Sequence, residues 1–495
     1  MTKFYIDQHG CAKNQTDGEM LVSYLVKDGF ELTLNASEAD FIFINSCGFI
    51  NSAKKESIDA IYSIHNAYPD AKIILTGCLA ERYSAELYES IPELSGVFGN
   101  GNLSKISDFM KSVKKQERAV CVYEQGKICS TERSVLFNFP ASAFVKITEG
   151  CSNHCSFCAI PLIRGELRSR EPSSIIAEIQ TLVKNGVYEI NLIGQDLAAY
   201  GTGAKDASIL DELNSLVKKE ALSGSEKKSY SPLALLFMLI SKIPGDFIIR
   251  LLYIHPDHFN TDILDVIKAD SRFVHYFDIP FQSGDDSIIK KMNRTGSAKI
   301  YKELIKNIRS VFPDCMLRTT FLTGFPSETD EAAYNTQEFL KSIQPDWSGC
   351  FSYSREEDTP AYFLKPRVPA KTAALRASEL EEIQSEITTN RLSRFCGKEA
   401  RVLIEEIIKL DENVAEDSSE GLAIGRGWFQ APEVDGCVVV RYDLDDEAQK
   451  NAVKPGNVVN VQILAITGVD LDARFISLYK KFNRGGISFV NQGEE

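Results

Sequence analysis

The stretch EGCSNHCSFCAIP sets Cys151, Cys155 and Cys158 at the spacing C-x3-C-x2-C. A structural zinc site takes four protein ligands, and a disulfide framework takes an even number of cysteines. This segment offers three. His154 is the nearby candidate for a fourth zinc ligand, but its adjacency to Cys155 makes simultaneous ligation awkward. An iron–sulfur cluster accepts thiolates from such tight loops, and a [4Fe–4S] cluster held by three cysteines keeps one iron free to bind something else. The spacing favours the cluster.

A second set of three is spread more widely. Cys11, Cys47 and Cys78 are separated by 36 and 31 residues. Each lies just past a predicted strand: FYID before Cys11, FIFIN before Cys47 and IILTG before Cys78. In an open parallel sheet the carboxyl ends of the strands gather on one rim, where ligands bind, so three distant thiols can converge there. The alternative is three unrelated buried cysteines, since free Cys is often buried. Cys121, Cys129, Cys315, Cys350, Cys396 and Cys437 show no comparable spacing and are expected to pack. No histidines pair at metal-ligand spacing. His255 and His258, around one proline in IHPDHF, either line a barrel mouth or sit in solvent.

The elements that must position these residues fall into three series. Over the first hundred residues, strands alternate with helical stretches such as DGEMLVSYLVKDG and SAKKESIDAIYSIHN, which predicts a doubly wound parallel sheet. Residues of about 100–138 show no clear period and read as a connection. From about Ala141 to Pro366 six strand candidates alternate with helices: SAFVKIT, EINLIG, FIIRLLYI, YFDIPF, CMLRTTFLTG and WSGCFSYS. A complete β/α barrel needs eight units, so a partial, six-unit barrel is predicted, with the Cys151 segment directly after its first strand. SGSEKKSYS (Ser223–Ser231) reads as a surface excursion. A charged helix, Ala373–Phe395, then leads to five short strands separated by turn residues, the pattern of a small all-β barrel.

Composition narrows the function. The chain has 495 residues, too many for one ordinary domain. No run of about 18 apolar residues suggests a membrane span, and MTKFYIDQHG shows no secretory signal. A cytoplasmic location is expected, where the twelve cysteines are thiols or metal ligands. The net charge of −14, from 69 acidic and 55 basic residues, argues against a general grip on phosphate backbones.

With these residues in view, CSNHCSFC after the first strand of a partial barrel resembles the radical S-adenosylmethionine (radical SAM) signature, with Phe157 as its aromatic. The added three-cysteine domain and terminal β-barrel resemble the radical SAM methylthiotransferase family, whose last module is called TRAM. GCAKNQTDGEML, INSCGFINSAKKESI, TGCLAERY, IPLIRGELRSR, IGQDLAAYG, DIPFQSGDD and TGFPSET extend the resemblance over nearly the whole chain. Within the family, the Lys13-Asn14 pair after Cys11, GFI after Cys47, QDLAAYG and APEVDG (Ala431–Gly436) resemble the RimO type, which acts on ribosomal protein uS12. Gly18 stands where Ser is usual, and IHPDHF replaces a more common Tyr-Pro wording.

The resemblance implies an α/β multidomain chain. Residues 1–138 would form a doubly wound N-terminal methylthiotransferase domain and 139–395 a partial (β/α)6 radical SAM barrel with a trailing helix. Residues 396–484 would be the TRAM β-barrel and 485–495 a tail. It implies one [4Fe–4S] cluster on Cys151, Cys155 and Cys158 that binds S-adenosylmethionine (SAM) through its amino and carboxylate groups. Cleavage would give a 5′-deoxyadenosyl radical that abstracts hydrogen from the β-carbon of an aspartate. A second [4Fe–4S] cluster, on Cys11, Cys47 and Cys78, would present a methylated sulfur, so that two SAM are consumed per turnover. Gln195 and Asp196 fall where SAM's amino group is usually contacted, and Gln282 and Gly324 at later strand ends of the same mouth. Phe157 packs near adenine or cluster, or makes an ordinary apolar contact. Arg164, Arg168 and Arg170 steer a carboxylate or form ordinary salt bridges.

The implied partners are uS12, an electron donor such as flavodoxin or ferredoxin, and a sulfur source; no membrane and no direct tRNA binding are expected. Charge supports the protein substrate independently. Residues 397–484 hold 11 Lys/Arg against 16 Asp/Glu, a net of −5. Such a module suits a basic ribosomal protein better than RNA, the alternative being an ordinary solvated acidic surface. A tRNA methylthiotransferase and a zinc-stabilised binding module are the competing readings.

Overall fold

The computed structural model describes residues 1–115, 118–126, 128, 132–220, 229–409, 419–483 and 485–490. Cys129, most of the Ser223–Ser231 excursion and the end of the expected tail lie outside them.

The first series forms one parallel sheet from β1 (Lys3–Gln8), β2 (Glu31–Leu32), β3 (Phe41–Ser46), β4 (Lys72–Thr76), β5 (Leu94–Phe98) and β6 (Ala119–Cys121), in the order β2-β1-β3-β4-β5-β6. Its strands are apolar on both faces because helices cover both. Phe4, Ile6, Phe43 and Phe98 pack with α1 (Ala12–Lys27), and Ile44, Leu75 and Val97 pack on the other side, toward α2 (Asn51–Ala67) and α3 (Gly77–Arg82). The expected connection of about 100–138 needs correction. It contains a helix, Ile106–Lys115, and β6, which adds the sixth strand. Ile106, Phe109, Met110 and Val113 line the buried face of that helix at i, i+3, i+4 and i+7.

The second series is a six-stranded, all-parallel sheet. In sheet order its strands are Trp347–Ser352, Met316–Thr323, Phe273–Asp278, Ile248–Leu251, Glu189–Ile193 and Ser142–Lys146. The trailing helix runs Ala370–Leu392. The final strands, from Glu399–Ile408 to Asp470–Lys480, close a five-stranded barrel. Among the described residues, no helix is long and apolar enough to cross a membrane.

Six strands cannot close a β/α barrel, and the last domain fills the opening. Phe429 and Ala431, in the loop after the strand Glu420–Gly427, are fully buried in one core with Phe144, Ile193, Leu252, Tyr276, Met316 and Trp347 from the large sheet. Polar contacts fix the depth of insertion. The Trp347 indole donates to the Phe429 carbonyl at 3.0 Å, the Tyr276 hydroxyl donates to Asp435 at 2.6 Å, and Glu189 pairs with Arg250 and Arg426 at 2.9 and 2.8 Å. At the other end, α1 meets the barrel through the buried pairs of Asp17 with Lys146 and Arg164, while Glu19 pairs with Arg133, which donates to Phe144 O at 2.7 Å.

Candidate metal centres at the barrel mouth

Cys11, Cys47 and Cys78 follow β1, β3 and β4, which are consecutive in the sheet, where neighbours lie about 4.8 Å apart. Cys11 is the residue before α1, and Cys78 is the second residue of α3. The turn into Cys78 requires Gly77: its φ is +86°, and a Cβ there would lie 2.5 Å from the Ser46 carbonyl. Asn14 ties the strand ends together, its amide donating to the carbonyls of His9, Asn45 and Ser46 at 2.8–3.2 Å. The unusual Gly18 has a local explanation. The Asn45-to-Gln8 hydrogen bond, at 2.7 Å, occupies the place a Cβ would enter, 2.5 Å from Gln8 Oε1.

The second triad sits in a loop clamped from outside. Ser156 donates from its N–H to Met292 O at 3.0 Å and from its hydroxyl to Lys291 O at 2.8 Å, and Asn293 donates to His154 O at 2.9 Å. The buried Arg294, anchored on Pro280 O at 2.6 Å, faces Cys155. His255 Nε2 lies 3.7 Å from Cys155 Sγ. None of Arg294, Asn153 or Asn293 carries a sequence signal. They are ordinary polar residues until the loops are brought together.

A short helix, Ile160–Arg164, connects the two triads. It begins two residues after Cys158; Ala159 and Ile163 pack on Cys78, and Arg164 Nη2 lies 3.2 Å from Cys78 Sγ. Arg164 also pairs with Asp17 at 2.8 Å and Glu149 at 2.7 Å. Of the three arginines noted in the sequence, it is the one placed at a thiol. Arg168 bonds Gln125, at 2.7 Å, and Gly126, while Arg170 bonds Glu178 and Ser174.

The donor sets fit polynuclear iron better than a single ion. Among the described residues, the one group of three ligand atoms lying within 4.8 Å of one another is Asp196, His255 and His258; neither cysteine triad closes that tightly. His154 lies 3.4 Å from Glu166 at the surface, where it completes no fourth position. Burial pushes the thiols of Cys78, Cys151 and Cys158 up to about 12. Such thiols do not ionise alone near neutral pH; a bound metal displaces their protons.

The residues expected to contact SAM differ in what the fold leaves free. Gln195 donates to Glu149 Oε1 at 3.4 Å, while its own Oε1 is buried without a hydrogen-bond partner among the described residues, as is the nearby Thr148 hydroxyl. An orphaned buried acceptor is costly and fits the ammonium of an amino-acid ligand. Asp196 is already committed: it accepts from His258 Nδ1 at 2.7 Å, Asn153 at 3.1 Å, Ala198 N at 3.0 Å and His255 N at 3.1 Å. It thus locks the cysteine loop to the His255 turn. Phe157 packs with Ile288, Met292 and Phe325. Gln282 has φ +69° and bridges to Phe321 with its side chain half-buried. Gly324 packs on the trailing helix, where a Cβ would lie 2.2 Å from that of Ala373.

Three family models match the chain in order: Uncharacterized protein family UPF0004 over residues 3–99, Radical SAM superfamily over 145–340 and TRAM domain over 396–476. They define its class, a radical SAM enzyme with a three-cysteine domain before the barrel and a TRAM barrel after it. Such enzymes use a [4Fe–4S] cluster and SAM. Three curated relatives share a name, ribosomal protein uS12 methylthiotransferase RimO. The one from Treponema denticola is 50% identical over 94% of this chain and 99% of its own. That from Thermoanaerobacter sp. (strain X514) is 36% identical over 88% and 92%, and that from Thermodesulfovibrio yellowstonii 34% over 96% and 99%. The chain belongs to the RimO family of methylthiotransferases, and it is a transferase.

Proposed function

We propose that this protein methylthiolates the β-carbon of an aspartate in ribosomal protein uS12. Cys151, Cys155 and Cys158 hold the cluster that binds SAM, Cys11, Cys47 and Cys78 hold a second [4Fe–4S] cluster, and the domains divide after residues 138, 395 and 484. When bound, these groups supply the radical and the methylated sulfur that turn C–H into C–SCH3. The protein's own part is placement. Gln195 offers an acceptor to the amino group of SAM, Asp196 holds the cysteine loop, and Phe157, Gln282 and Gly324 shape the surrounding mouth. An electron donor and a sulfur source complete the reaction from outside, in the cytoplasm.

The observation that supports this reading best is the helix Ile160–Arg164, which ties the loop of one cysteine triad to a thiol of the other. Two centres so joined suit a substrate carbon activated at one and sulfurated at the other. The test is incubation of the anaerobically reconstituted protein with SAM, reductant and sulfide, separately with uS12 and with tRNA. Mass spectrometry is expected to find a methylthio group on an aspartate of uS12. Modification of tRNA alone would overturn the substrate, and colourless protein with stoichiometric zinc would overturn the chemistry.

A further inference from the structure

Lys13 is placed at a cost to stability that the Tyr253 ring and the neighbouring Cys11 offset only in part. It is 8% exposed, although a buried ammonium without a counter-ion is strongly disfavoured. It lies in the first turn of α1, where the helix dipole favours anions over cations. Among the described residues its Nζ has no hydrogen-bond or ion-pair partner; it rests 3.1 Å above the centroid of the Tyr253 ring. The nearby carboxylates are taken. Asp278 accepts from the Tyr253 N–H at 3.1 Å and pairs with Arg318 at 3.3 Å, and Glu149 pairs with Lys146 and Arg164.

Its location has a meaning. Lys13 is two residues from Cys11 of the N-terminal triad, and Tyr253 stands just past the strand Ile248–Leu251 of the barrel. Ala12, its neighbour, packs in the core that lines the inside of the barrel with Leu252 and Tyr276. The ammonium is therefore held between one metal centre and the barrel mouth, with no carboxylate hydrogen-bonded to it among the described residues.

We propose that Lys13 is the positioning residue for the substrate: its ammonium pairs with the carboxylate of the target aspartate and sets that residue's β-carbon beside the centre on Cys11, Cys47 and Cys78. This inference rests on the aspartate reading above. The pair would give the ammonium a hydrogen-bonded carboxylate partner, and it would distinguish aspartate from asparagine of the same shape.

Lys13→Met and Lys13→Arg test it, compared as reconstituted holoenzymes with uS12 carrying either the target aspartate or asparagine in its place. Wild type is expected to prefer aspartate about 100-fold in kcat/KM. Lys13→Met loses about 100-fold on aspartate and with it the preference, while Lys13→Arg recovers to within about tenfold of wild type. Iron and sulfide content and 5′-deoxyadenosine formation stay at wild-type levels in both variants. A Lys13→Met enzyme that keeps its rate or its preference overturns the proposal. So does a loss that tracks missing iron, or one that arginine fails to rescue. If wild type modifies tRNA and not uS12, the substrate reading falls and this inference falls with it. If uS12 is modified equally well by wild type and Lys13→Met, this inference alone falls.

Discussion

The two cysteine triads are built in opposite ways. Cys151, Cys155 and Cys158 come from one eight-residue loop, and the fold has only to clamp it, through Ser156, Asn293 and Arg294. Cys11, Cys47 and Cys78 come from three strand ends, and a whole sheet must form before they meet. Yet each ends with a buried arginine at one of its thiols, Arg294 facing Cys155 and Arg164 touching Cys78. A thiolate-bound cluster is a net anion in a desolvated place, and a fixed guanidinium lowers the cost of keeping it there. Local and long-range construction thus arrive at the same electrostatic solution.

The largest effects should come from separating the triads. Cys151→Ala is expected to abolish both 5′-deoxyadenosine formation and methylthio transfer, to below about one-thousandth of wild type, a loss of at least about 4 kcal/mol in barrier lowering. Cys78→Ala should still form 5′-deoxyadenosine but transfer no methylthio group. Chromatography of the nucleoside and mass spectrometry of uS12 distinguish the two. Transfer by Cys78→Ala would erase the division of labour.

The difference in construction also governs what the sequence discloses. The local triad is legible from its spacing, and the distributed one from the repeated placement of Cys after an apolar run. The six-strand barrel and the terminal β-barrel follow from alternation and turn residues. The helix Ile106–Lys115 carries a strong apolar stripe, Ile106, Phe109, Met110 and Val113, but it is only ten residues long and set in an otherwise polar stretch, so the segment reads as a connection. That Lys13 Nζ and Gln195 Oε1 have no hydrogen-bond partner among the described residues is invisible in sequence for a different reason. Both are statements about partners that every neighbour has already taken, and those partners come from four separate segments of the chain. Gly324 adds a demand that TGFPSET does not disclose: its missing Cβ permits a close approach to Ala373.

The paired arginines offer the next largest effect. Arg164→Ala leaves Asp17 and Glu149 with Lys146 as their remaining ionic partner and removes the donor at Cys78. Removing one partner from a buried ion-pair network costs up to about 3–5 kcal/mol, so the melting temperature should fall by several degrees and the N-terminal centre should lose iron. Arg294→Ala should spare that centre and deplete the other. Iron analysis in a Cys78→Ala background, where one centre remains, assigns each loss. Equal depletion of both centres by both variants would show the arginines to be general supports.

A smaller effect should appear in the order of iron loss. Cys11 is exposed, whereas Cys155 is buried and Cys151 and Cys158 are half-buried. An anaerobic chelator should therefore remove iron in two phases, with the N-terminal centre in the fast one. Cys78→Ala should lack that phase. A fast phase that persists would place the labile iron in the barrel instead.

The smallest expected effect is electronic and confined to one centre. The Asp257 N–H donates to His255 Nδ1 at 3.3 Å, which puts the ring proton on Nε2, the nitrogen 3.7 Å from Cys155 Sγ. Burial beside Arg294 pushes His255 down to about 3, so the ring is neutral and donates a single hydrogen bond toward the sulfur. A donor at a ligand sulfur stabilises the reduced, more negative cluster and raises its potential. Cys78 has a counterpart, the Asn100 amide at 3.8 Å from its sulfur. A neutral hydrogen bond of about 1 kcal/mol corresponds to about 40–50 mV for one electron. His255→Phe should lower the potential of the barrel cluster by about that amount, read by electron paramagnetic resonance during titration, and leave the N-terminal cluster unmoved. Asn100→Ala should do the reverse and by less, because Arg164 still faces Cys78 at 3.2 Å. A shift of both potentials by either variant would mean that the helix Ile160–Arg164 couples the two centres, rather than holding them apart as separate sites.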